Sequence, residues 1–217
     1  MKTLLLLSLA WAAVGLAATV ETIVDNGQVR ILKVIVPTDH STGMHVHTIN
    51  RVMIYLQEGG QSVIRENGPT TVQEWAAGEP LWSPAIGRHR VELKAEVPNT
   101  IVEIELRQDG PTNPAPLSAL HPLNSDPDHN TLEFENDQVR VFRSKYPAGA
   151  VIPLHEHLSA RVRIYLTPTD VNYWDEGGKL SHAAHAAGDV SWLTSSVRHH
   201  AKSLSNSPTE VVVVELK

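Results

Sequence analysis

Two histidines separated by one residue, followed 42 residues later by a third, occur twice in this chain: His45, His47 and His89, then His155, His157 and His199. On a strand, alternate side chains share a face, so both imidazoles of each H-x-H pair project to one side. Imidazole nitrogens suit Fe(II), Zn, Mn, Ni or Cu. Three protein ligands leave coordination positions open for water or substrate, as in catalytic rather than structural sites. A lone H-x-H is a weak signal, but two triads with identical internal spacing are a strong one. Cysteine is absent, which excludes thiolate ligands, disulfides and a Cys nucleophile. No nucleophile elbow, phosphate-binding glycine loop or dinucleotide fingerprint is present.

The triads lie in a sequence written twice. Shifted by 110 residues, the chain aligns with itself without a gap, and 24 of the 81 positions of 26–106 are identical in 136–216. NGQVR meets NDQVR, RVMIYL meets RVRIYL, Trp82 meets Trp192, and Arg88-His89 meets Arg198-His199. Repeats of this length are structural units. We divide the chain into a signal peptide over 1–18, an N-terminal domain over 19–106, a linker over 107–130 and a C-terminal domain over 131–217. The linker is rich in Pro, Asn and Asp and reads as a strap over the surface.

Each unit has an all-β pattern. Val29–Val36, 52–56 and 101–106 are short and rich in β-branched residues, with Gly, Pro and Asn clusters between them. No amphipathic helix stands out, and short strands at regular spacing favour a sandwich or small barrel. At the start, Lys2 precedes an apolar run too short to span a bilayer with certainty, then small residues around Ala17 and Ala18. The expected location is periplasmic or secreted, with no stable membrane anchor. The net charge of −6, without a basic run, gives no sign of nucleic-acid binding.

These motifs resemble those of the cupins, and the whole chain resembles a bicupin. The family's first motif, G-x5-H-x-H-x3–4-E-x6-G, is matched by HVHTINRVMIYLQEG at 45–59 and HEHLSARVRIYLTPT at 155–169. The second, G-x5-P-x-G-x2-H-x3-N, is matched by GEPLWSPAIGRH at 78–89 and GDVSWLTSSVRH at 188–199. The resemblance implies two tandem double-stranded β-helix (jelly-roll) barrels, each with a metal inside. It makes His45, His47 and His89 the ligands of one site, and His155, His157 and His199 those of the other.

The family's glutamate ligand is missing from both halves. Its slot is Arg51 or Val52, and Arg161 or Val162. Val52, Ile54 and Leu56 alternate with Arg51, Met53 and Tyr55, and the apolar set is expected to face the barrel interior. On that reading Val replaces Glu and the arginines point away. Each site would then be three neutral imidazoles with no carboxylate, which favours an anionic ligand such as an enolate or carboxylate.

Four further residues are candidates for substrate contact. Arg51 and Arg161 could clamp a carboxylate at a barrel mouth, though an outward structural role is favoured. Tyr55 and Tyr165 read equally as hydrogen-bonding groups beside the metal or as packing. Trp82 and Trp192 read as core or inter-barrel packing. His40, His121, His129, His182 and His185 read as loop residues, and His200 as facing away from its neighbour His199. The expected function is a metal-dependent oxidoreductase, dioxygenase-like with Fe(II) first among the metals, acting on a small anionic or enolisable molecule. A non-catalytic metal- or sugar-binding protein is the alternative, and a storage protein the third reading. The partner expected is a small molecule, and self-association is left open.

Overall fold

The computed structural model describes residues 17–112, 116–194 and 196–217, so the candidate signal peptide lies outside the described residues except for its last two positions. The first unit runs β1 (Thr19–Asp25), β2 (Val29–Val36), β3 (His45–His47), β4 (Arg51–Tyr55), β5 (Gly59–Arg65), β6 (Thr71–Trp75), β7 (Glu79–Ser83), β8 (Ile86–Lys94) and β9 (Asn99–Leu106). A short helix, α1 (Pro122–Ser125), follows. The second unit runs β10 (Asn130–Glu135), β11 (Val139–Tyr146), β12 (Val151–His157), β13 (Arg161–Tyr165), β14 (Thr169–Asp175), β15 (Leu180–His185), β16 (Val190–Leu193), β17 (Val197–Ser203) and β18 (Thr209–Leu216).

Each unit folds into a five-stranded and a four-stranded antiparallel sheet. The orders are β1-β2-β9-β4-β7 with β3-β8-β5-β6, and β10-β11-β18-β13-β16 with β12-β17-β14-β15. The two topologies are the same, as the sequence repeat requires. Local turn chemistry is repeated too. Asn26 Oδ1 accepts from the backbone N–H of Gln28 and Val29 at 2.8 and 3.0 Å, and Asn136 does the same for Gln138 and Val139. This side-chain mimic of a backbone turn reverses the chain between β1 and β2, and between β10 and β11.

The two five-stranded sheets pack against each other. Val29, Ile31, Val52, Ile54, Val102 and Ile104 of the first meet Val139, Val141, Val162, Ile164, Val212 and Val214 of the second, all fully buried. Trp82 and Trp192 pack on this shared core. The contact is reciprocal at its edges. Lys33 Nζ donates to the Gly188 carbonyl at 2.9 Å, and Arg143 Nη2 donates to the Gly78 carbonyl at 2.8 Å. Both glycines have positive φ, 75° at Gly78 and 83° at Gly188. The positive φ favours glycine at Gly78, where a Cβ would also push the Leu166 Cδ1, 2.6 Å away, out of its place.

This packing overturns the alternation reading of β4 and β13. Val52, Ile54 and their counterparts do not face a barrel interior; they face the other barrel. Each five-stranded sheet is buried on both faces, so apolar residues do not single out the side with the site. The linker is also more than a surface loop. Glu156 N donates to the Leu120 carbonyl at 2.9 Å, and His121 caps α1 while buried at 5% exposure.

Candidate metal centres

In each unit the H-x-H strand pairs with the strand carrying the third histidine: His45 lies opposite His89 and His155 opposite His199. Each triad therefore closes across two neighbouring strands of the smaller sheet. The ring centroids stand 4.4 to 5.4 Å apart in the first triad and 4.4 to 5.8 Å apart in the second. One nitrogen from every ring lies within 4.8 Å of those of its two partners. Ligand bonds of about 2.1 Å place two nitrogens about 3 Å apart at a right angle and about 3.4 Å apart at the tetrahedral angle. The spacing of both triads suits a transition-metal ion.

Backbone carbonyls set which nitrogen is offered. His45 Nδ1 lies 2.8 Å from the Gly43 oxygen, His89 Nδ1 2.8 Å from that of Gly87, and His155 Nδ1 2.9 Å from that of Pro153. A carbonyl only accepts, so each Nδ1 carries the proton and each Nε2 presents its lone pair. Burial, followed by the Arg51 charge, lowers the His47 pKa to about 3. Burial likewise brings His155 to about 4 and His199 to about 3, and lowers His89 and His157. Those rings are neutral at pH 7, the state a metal requires.

The arginine face is the site face. Arg51 does not point away: its Nη1 donates to His47 Nε2 and to Glu103 Oε1, both at 2.8 Å, and its Nη2 donates to Ser83 Oγ at 2.8 Å. Arg51, not Val52, therefore stands where the resemblance placed a glutamate. A carboxylate is also present, contrary to the sequence expectation. Glu103 and Glu105 lie on β9, each with an oxygen within 4.8 Å of a His47 nitrogen. Glu105 pairs with Arg30 at 2.8 Å.

The second centre differs. Arg161 is buried in the corresponding place, and burial together with the Arg163 charge lowers its pKa to about 10. The group touching the triad is Arg163, two residues along, whose Nη2 donates to His157 Nε2 at 3.2 Å. His157 Nδ1 faces Glu215 Oε1 at 3.4 Å, and the other Glu215 oxygen takes His121 Nε2–H at 2.9 Å. Burial raises the Glu215 pKa, but the hydrogen bonds from His121 and His157 outweigh it and hold the carboxyl at about 2.

The first triad opens on a cavity of about 740 Å³, lined by Arg51, Met53, Tyr55 and Gln61 among others. That is the size of a small-molecule pocket. The second opens on about 80 Å³, lined by Tyr146, Arg163, Tyr165 and Tyr173 among others, room for a few waters.

No protein-family model and no curated protein matches the chain. Solved structures do. AerE from Microcystis aeruginosa aligns with a TM-score of 0.63 at 12% identity over 91% of this chain and 97% of its own. A cupin 2 conserved barrel domain protein from Leptotrichia buccalis aligns at 0.57 and 12% identity, over 93% and 89%. Oxalate decarboxylase of Bacillus subtilis, a protein with Mn(II) centres, aligns at 0.61 and 12% identity, over 91% and 72%. This protein has the cupin fold. At such identities the likeness concerns the fold alone, and the site must be argued from its own residues.

In this cupin fold the remaining candidates fall into place by strand. Tyr55 lines the first cavity, stacks on Trp75 at 3.8 Å and accepts from Gln61 at 3.4 Å; burial pushes its phenol up to about 12. Tyr165 lines the second cavity and stacks on His185 at 3.9 Å. His182 and His185 lie on β15 rather than in a loop, and exposed His182 pairs with Asp170 at 2.6 Å. His200 stacks on Trp174, away from the triad. Sequence reasoning missed Glu103, Glu215, Arg163 and His121. One signal was there: Glu105 and Glu215 are identical across the repeat inside otherwise apolar strands.

Proposed function

We propose that the first barrel binds a divalent transition metal on His45, His47 and His89, and a small anionic molecule beside it. The supporting observation is the convergence of three histidines on a cavity of about 740 Å³ whose wall carries Arg51. Bound there, the metal would supply a Lewis acid with open positions for an anionic ligand. Once His47 Nε2 is a ligand, Arg51 Nη1 needs another acceptor, and a carboxylate in the cavity provides one with fork geometry. Glu103 holds the guanidinium in place meanwhile, and Tyr55 and Gln61 offer further hydrogen bonds deeper in the cavity. Our reading is a metal-dependent oxidoreductase, dioxygenase-like with Fe(II), exported by the segment at 1–18. Binding without turnover is the second reading; it is favoured by the arginine that stands in place of the family's glutamate.

The test is calorimetric binding of small mono- and dicarboxylates and their neutral amides to metal-loaded protein. Carboxylates should bind at least tenfold more tightly than amides, and Arg51→Met should remove that preference. Equal affinity for both, or a preference unchanged in Arg51→Met, overturns the reading. Oxygen uptake with Fe(II) then separates turnover from binding.

A further inference from the structure

We propose that the second triad is not a metal site: Arg163 supplies internally the positive charge that an ion would bring, and the chain takes one transition metal, in its first barrel. This goes beyond the reading of the first barrel and rests on three differences between centres whose histidines are otherwise matched.

The first difference is the use of lone pairs. In the second triad every Nε2 is already engaged. His157 Nε2 accepts from Arg163 at 3.2 Å, and the Nε2 atoms of His199 and His155 face each other at 2.8 Å. Because His155 Nδ1 donates to the Pro153 carbonyl, its Nε2 is the acceptor, and His199 donates to it. In the first triad only His47 is engaged, by Arg51. Among the described residues, Nε2 of His45 and of His89 has no hydrogen-bond partner.

The second difference is charge. Glu103, which faces Arg51 at 2.8 Å, corresponds to Val213 in the second unit, and Met53 corresponds to Arg163. The first centre thus has two carboxylates, Glu103 and Glu105, close to His47. The second has Glu215 alone, which is shared with His121, His157 and Arg140. An ion on His157 Nε2 at about 2.1 Å would lie within about 5 Å of the Arg163 guanidinium, two like charges in a buried space.

The third difference is room. Arg163 could leave His157 only by moving into a cavity of about 80 Å³ that Tyr146 and Tyr173 also line. Their counterparts in the first barrel are Val36 and Val63, and there Arg51 has about 740 Å³ beside it.

The experiment is a Co(II) titration of the chelator-stripped full chain, followed by visible absorption and by bound metal per chain. Wild type should take one equivalent. His157→Ala should keep it and His47→Ala should lose it. Arg163→Met/Val213→Glu, which restores the first barrel's residues at both places, should take two. Two equivalents in wild type, or one that survives His47→Ala and vanishes in His157→Ala, overturns the proposal. So does a folded double variant, checked by near-UV circular dichroism, that gains nothing. If wild type takes none, the reading of the first barrel fails separately, and the double variant still decides: a gained equivalent upholds the proposal and none overturns it. Should the double variant fail to fold, the two histidine variants decide.

Discussion

The two barrels keep the same strands and the same three histidines, yet they surround them differently. Around His47 the guanidinium of Arg51 is balanced by Glu103 and opens on space. Around His157 a different arginine, Arg163, reaches the ring from two residues further along β13, and Tyr173 stacks on His199 at 5.1 Å. Among the substitutions that separate them are Val36 against Tyr146, Met53 against Arg163, Val63 against Tyr173, Ser83 against Leu193 and Glu103 against Val213. Repetition of three histidines through duplication therefore does not repeat their surroundings. The neighbours that fill or empty the interior decide whether lone pairs face a cavity or face the protein.

The comparison can be broken in several ways. The largest effect expected is at the carboxylates. Glu215 is 2% exposed and holds His121, His157 and Arg140, so Glu215→Ala should cost about 3–5 kcal/mol by leaving buried donors unpaired. Glu105→Ala, at the matching position, loses a pair with the more exposed Arg30 and should cost about 1 kcal/mol. Urea denaturation checks both, and equal costs would erase the asymmetry.

A smaller difference separates the faces of β4. Ile54→Ala opens the shared core between barrels and should cost about 3 kcal/mol. Met53→Ala, beside a cavity already open, should cost about 2 kcal/mol, at the low end for a buried methionine. Reversal of that order would return the apolar face to the barrel interior.

At neutral pH the smallest effect of all is a slope, which grows only on acidification. In the metal-free chain the folded pKa values of His47, His155 and His199 lie at about 3 to 4, below the unfolded value of 6.5. The unfolded chain takes up protons that the folded rings refuse. Stability should therefore be complete above pH 6.5 and fall as the pH drops towards 4, by up to about 1.4 kcal/mol per pH unit for each of the buried His155 and His199 and by less for half-buried His47, whose charge solvent screens. His155→Gln should reduce the slope by one such share, measured from denaturation midpoints at pH 7, 6, 5 and 4. A slope unchanged in that variant would mean His155 is charged in the fold.

Much of this was legible in the chain itself. The 110-residue repeat, the β-branched runs and the H-x-H spacing specify tandem all-β units, because strand alternation fixes which side both imidazoles take. The orientation of Arg51 was not legible. Alternation tells two faces apart but not which one is the barrel interior, and here the more apolar face is spent on the other barrel. His121 was hidden for another reason: its partner Glu215 is 94 residues away, and nothing in a Pro- and Asn-rich stretch signals that return. The difference in cavity volume depends on side chains scattered over several strands, which only the folded chain gathers.

The reciprocal pair of hydrogen bonds, Lys33 to Gly188 and Arg143 to Gly78, has an implication for how such a molecule is assembled. Both halves present the same patch to each other, the signature of an isologous two-fold contact. The chain is in effect a pseudo-symmetric dimer whose two related units are joined by one tether. Either half expressed alone would bare a valine- and isoleucine-lined sheet and should pair with a second copy of itself.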